Sequence, residues 1–180
     1  MGTRARSSLI LCGALVLAGS RAGSADGAEL ELALGTPFVS ARGLLPVTAW
    51  LSAGARVDLV DASALRVGAA VSLRVIDAEM LRLDLPVFLA RGMSFQDLDT
   101  FEIELGPSLL VDLGADVALV VRGGGFVYFG PEARVRGLVG FGSLALSRAM
   151  SPGCRGGVEL GWLADAFGGR PSAGLFASWQ

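Results

Sequence analysis

Leu65-Arg-Val-Gly-Ala-Ala-Val-Ser-Leu-Arg-Val75 decides the fold class. Leu65, Val67, Ala69, Val71, Leu73 and Val75 form one set of alternate positions, and Arg66, Gly68, Ala70, Ser72 and Arg74 form the other. A strand sorts residues i, i+2 and i+4 onto one face, whereas a helix would scatter both sets around its circumference. The same period runs through Leu51–Leu59, with Ser52, Gly54, Arg56 and Asp58 opposite the apolar set. It returns at Leu81–Leu89, opposed by Arg82 and Asp84, and at Phe101–Val111, opposed by Glu102, Glu104 and Ser108.

Less regular segments fill the remainder: Glu29–Gly35, Ala115–Arg122, Phe126–Arg136, Leu138–Ser147, Gly157–Ala164 and Ser172–Trp179. Together they predict ten strands. Asp61-Ala62-Ser63, Asp77-Ala78-Glu79 and Gly123-Gly124-Gly125 read as tight turns between them. Connections this short favour antiparallel neighbours, because parallel pairs need long crossovers. The Gly-Pro pairs at 106–107 and 130–131 suggest a repeat one hairpin long. The expectation is an all-β, antiparallel, up-and-down barrel of eight to ten strands over residues 26–180.

Alternation does not say which face is buried. In a soluble barrel the apolar face points inward; in a membrane barrel it meets lipid and the polar face lines the lumen. Two features favour the membrane arrangement. The aliphatic faces are long, and the opposite faces carry Gly, Ala and Ser between single charges, as a crowded lumen requires. Arg56, Arg66, Arg74, Arg82, Arg134 and Arg136 fall in that second set, against Asp58, Asp84, Glu102, Glu104, Asp112 and Glu159. Both signs together suit mutual pairing. The alternative is a soluble periplasmic barrel binding an apolar ligand inside. Pro86 and Pro107 lie in strand-like runs, where a missing N–H predicts bulges or strand ends.

The chain has 180 residues, 52% of them apolar, with 26 glycines, and its mean hydropathy is +0.58. Arg4 and Arg6 precede an apolar run from Leu9 to Ala18, followed by small residues. This pattern predicts a secretory signal over residues 1–25, cleaved after Ala22, Ala25 or Ala28. Cleavage there leaves Cys154 alone, which precludes an intrachain disulfide and leaves no disulfide-linked partner expected. A net charge of −2 offers nucleic acid no attraction.

Histidine is absent. That removes Ser-His-Asp and Cys-His catalysis and the common zinc sites, so no catalytic, cofactor or metal site is expected. Cys154, in Ser-Pro-Gly-Cys-Arg, reads as a loop thiol. Glu102 and Glu104 share a strand face, where pairing with arginine outweighs acid–base work. Gly123–Gly125 lacks the lysine and hydroxyl residue of a phosphate loop. Trp50, Trp162 and Trp179 suit a membrane interface.

The export signal, the alternation, the tight turns and the closing segment Ala173-Gly-Leu-Phe-Ala-Ser-Trp179 resemble the small outer-membrane β-barrel proteins of the OmpA/OmpX type. Here Gln180 follows the terminal aromatic residue. The resemblance implies an outer-membrane location, with the barrel starting and ending on the periplasmic side, and no particular activity. The function expected is that of a non-enzymatic, monomeric outer-membrane barrel in contact with lipid, serving envelope integrity, surface contact or minor solute passage.

Overall fold

A computed structural model describes residues 27–61, 64–94, 99–130, 135–165 and 168–179. The predicted signal segment and Arg134 lie outside them, as does the side chain of Arg136. The described chain is built of strands: β1 Glu29–Thr36, β2 Phe38–Pro46, β3 Leu51–Val60, β4 Ala64–Ala78, β5 Leu81–Ser94, β6 Asp99–Leu105, β7 Ser108–Gly114, β8 Val117–Phe129, β9 Val135–Ser151, β10 Cys154–Asp165 and β11 Gly168–Trp179. All pairings are antiparallel. Apart from β6 and β7, strands adjacent in sequence pair with one another, and β1 pairs with β11 from Leu30↔Trp179 to Thr36↔Ala173, which closes the sheet. Closure leaves no edge strand exposed.

Eleven strands make ten staves, because β6 and β7 share one position between β5 and β8. β5 pairs with β7 through Leu81–Asp84 and with β6 through Val87–Met93. β8 likewise turns from β7 to β6 across Gly123 and Gly124. The break falls where Gly106-Pro107 faces Pro86. Gly106 N–H donates to Pro86 O at 3.4 Å, and Gly123 N–H donates to Pro107 O at 3.1 Å, so the wall is stitched across the gap. A Cβ on Gly106 would stand 2.2 Å from Gly123 O, and one on Gly124 would stand 2.3 Å from Leu105 O. Only glycine permits that approach of backbones.

Two expectations are corrected here. Gly123–Gly125 is the middle of β8, so the two strands expected over Ala115–Arg122 and Phe126–Arg136 contribute one strand, Val117–Phe129, and the first residues of β9. The strand β2, Phe38–Pro46, was not foreseen. The two errors cancel in the count of ten. The Gly-Pro echo is not a structural repeat either: Gly106-Pro107 breaks a stave in mid-wall, whereas Gly130 follows the end of β8.

One rim carries the turns β2–β3, β4–β5, β7–β8 and β9–β10 together with the start of β1 and the end of β11. In the β7–β8 turn Gly114, Ala115 and Asp116 all have positive φ. The Asp112 carboxylate accepts the Gly114 N–H at 2.8 Å there, so Asp112 serves the turn. Trp50 and Trp179 lie at this rim, while Trp162 and the Phe101–Phe129 ring pair lie toward the other.

The direction of the alternation is unambiguous. Asp58 is 0% and Arg66 3% exposed, while Leu160 is 64% and Leu175 60% exposed. Leu34, Val57, Val67, Leu89, Ile103, Leu144, Leu146 and Val158 join the outward belt. So large a continuous apolar surface is unfavourable in water and favourable in hydrocarbon. This overturns the soluble alternative, whose apolar faces would have lined the pocket.

Candidate functional site: the charged lumen

The charges meet inside the barrel because each sits on the inward parity of its strand. Near the rim opposite the termini, Arg66 of β4 is the hub. It reaches Asp58 at 3.0 Å, Glu102 at 2.6 Å and Glu104 at 3.0 Å. Arg56 of β3 bridges Asp58 and Glu104, both at 2.7 Å. The Arg66 guanidinium lies between the rings of Phe88 and Phe126, 5.3 and 4.9 Å from their centroids, and Arg56 lies 4.8 Å from Phe88. These inward aromatics fill the section and give the cations a second favourable contact. Burying charge is tolerable only when it is paired and hydrogen-bonded; every carboxylate here faces an arginine, and Asp58 and Glu104 accept hydrogen bonds from both Arg56 and Arg66, while Arg66 Nε and Glu102 Oε2 meet as an ion pair without hydrogen-bond geometry.

A second group occupies the waist. Glu31 of β1 accepts from Arg42 of β2 at 3.1 Å and from Arg122 of β8 at 3.3 Å. Arg122 also holds Glu159 of β10 at 2.8 Å, and the Ser143 hydroxyl donates to the same Glu159. Phe176 lies 5.5 Å from the Arg122 guanidinium. A third group sits at the rim of the termini. Glu29 receives Arg82 at 2.7 Å and Arg74 at 3.4 Å, and Asp84 receives Arg82 at 2.6 Å.

Two of these contacts bridge the lumen. β1 and β8 are four staves apart, as are β1 and β5, and five would be diametric. Glu31–Arg122 and Glu29–Arg82 therefore cross most of the section. What they leave open includes a cavity of about 280 Å³ along the lumen and another of about 290 Å³ at the rim of the termini.

Arg56, Arg66, Arg74, Arg82, Asp58, Asp84, Glu102, Glu104 and Glu159 thus stand inside, as the alternation predicted. Glu102 and Glu104 both engage Arg66. Sequence reasoning missed Glu29, Glu31, Arg42 and Arg122. The first two were legible, since Glu29 and Glu31 alternate with Leu30, Leu32 and Leu34. Cys154 is a free thiol, as expected, but it is buried at the start of β10 rather than placed in a loop. Among the described residues no group of three or more His, Cys, Asp or Glu is placed to hold a metal ion.

No protein-family profile matches the sequence. No curated protein matches it either. Solved structures do share the fold. One is the loop L8 deletion mutant of OmpT, an outer-membrane protein of Vibrio cholerae, with a TM-score of 0.50 and 9% identity over 84% of this chain and 62% of that one. Another is a bacterial polysaccharide outer-membrane secretin, with a TM-score of 0.52 and 10% identity over 85% of this chain and 63% of that one. The chain therefore spans under two thirds of the length of either. At such identity the likeness speaks to architecture alone: the fold is that of an outer-membrane β-barrel.

Proposed function

We propose that this chain is a non-enzymatic β-barrel of the outer membrane whose lumen is held nearly closed by charge pairs, admitting water and small ions and excluding larger solutes. The cross-lumen contacts Glu31–Arg122 and Glu29–Arg82 carry this reading. Eight-stranded barrels have room only for side chains, and 16 to 18 strands leave an aqueous channel. Ten staves stand near the closed end of that range, and arginines take up much of the remaining section. Of the roles open to such a barrel, minor solute passage suits a lumen that is polar yet narrow. The absence of histidine in the whole sequence supports the non-enzymatic reading.

Single-channel recording of the purified protein in a planar bilayer tests it. The expected result is small, brief conductance. Large, stable, porin-like steps would show that the charge pairs do not close the lumen.

A further inference from the structure

The pairing at the waist is incomplete on one side. Arg42 and Arg122 approach Glu31 from different staves, and both donate to the same oxygen, Oε2. Arg122 spends its other terminal nitrogen on Glu159. Arg42 donates through Nη2 alone, so its Nη1 and Nε remain to serve another acceptor. Arg56, whose guanidinium is committed to Asp58 and Glu104, lines the same open space. All three arginines line the 280 Å³ cavity. Around that cavity the full lining holds six arginines and five carboxylates. Asp58 and Glu102, both paired with Arg66, are not among them.

We propose that the waist is an anion-selective site. A small anion, such as chloride or a short carboxylate, takes the free donors of Arg42 and then competes with Glu31 for Arg122. The planar fork of arginine suits a carboxylate, and a guanidinium sheds its hydration more readily than an ammonium. Glu31 is then the internal counter-ion that the passing anion replaces, and its side chain sets how often the passage is free. Where a filter is lined by charged side chains, arginine gives preference for anions.

The proposal rests on the reading of a nearly closed lumen, and one experiment separates the two. The mature protein is inserted in a planar bilayer under a KCl gradient, and conductance and reversal potential are read. Wild type is expected to show small conductance, with its reversal potential displaced toward that of chloride. Arg42→Gln leaves Glu31 paired with Arg122, so the barrel should fold, and its reversal potential should move toward that of potassium. Glu31→Gln should raise conductance several-fold and strengthen the chloride preference. Wild type impermeable to both ions overturns the anion site together with the passage of small ions, while wild type selective for potassium overturns the anion site and leaves the nearly closed lumen standing. So does an Arg42→Gln reversal potential equal to that of wild type. Large porin-like conductance in wild type overturns the closed lumen, and the anion site with it.

Discussion

Replacing Arg66 with methionine should be the most damaging single change inside the barrel. Arg66 contacts all three of Asp58, Glu102 and Glu104, and it is 3% exposed. Without it, Asp58 and Glu104 share the single guanidinium of Arg56, and Glu102 loses its contact with Arg66. Removing one partner of a buried pair costs about 3–5 kcal/mol, because the other charge is left uncompensated. At about 1.4 kcal/mol per decade, the folding equilibrium should fall by roughly two to three and a half orders of magnitude. Asp58→Asn is the informative contrast. It removes the fully buried carboxylate but leaves two arginines facing two glutamates, and the amide oxygen still accepts from Arg56. Its cost should be that of weakened charge-assisted hydrogen bonds, about 1.5–3 kcal/mol. In the double variant the lost pair is counted once, so the two effects should fall short of additivity by about 0.5–3 kcal/mol. The assay is urea-dependent folding into lipid vesicles, followed by tryptophan emission. An Arg66→Met cost below that of Asp58→Asn, or strict additivity of the two, would refute the hub.

Three further outcomes follow from the same structure. Leu160→Arg places a charge on the outward belt near the middle of β10; it should cost about 2–4 kcal/mol if that point lies at the bilayer midplane, read as weakened insertion on a heat-modifiable gel shift. Gly124→Val would drive a side chain into the Leu105 carbonyl at the break in the wall, so it should lower the urea midpoint, whereas Gly43→Ala, with open space around its Cβ, should leave it nearly unchanged. N-terminal sequencing of protein from the envelope should find the chain beginning after Ala22, Ala25 or Ala28, and an intact Met1 would show that the leader is not removed.

The outward belt and most of the inward charges were legible because β3, β4 and β5 keep strict period 2 with strong contrast between faces. β2 lacks that contrast. Its outward positions fall from Val39 through Ala41 to Gly43, and its inward set mixes Leu44 with Ser40 and Arg42, so neither face is uniformly apolar or polar. β8 was divided because three glycines in succession look like a turn. Their role is a backbone contact with Gly106 of another stave, which becomes visible only once the wall is assembled. The bulge in β4, where pairing steps from Arg74 to Ile76, leaves Val75 and Ile76 both outward, and alternation alone would have turned Ile76 inward. Composition implied that the arginines and carboxylates would pair, but not which pairs cross the lumen. Glu31 and Arg122 are 91 residues apart, and their meeting is set by how ten staves close into a ring.

The central claim is that the apolar face meets lipid while the charges stay inside. Leu144 and Leu160 are register partners on β9 and β10, both more than half exposed, and Ser143 beside Leu144 contacts Glu159 in the lumen. Nitroxide labels placed one at a time at these positions, in a Cys154→Ala background and in lipid vesicles, report collisions with oxygen and with a water-soluble nickel chelate. Labels at Leu144 and Leu160 should meet oxygen freely and the chelate hardly at all, and the label at Ser143 should be shielded from the oxygen-rich lipid phase. Free access of the chelate to Leu144 and Leu160, with oxygen no more frequent there than at Ser143, would contradict the account.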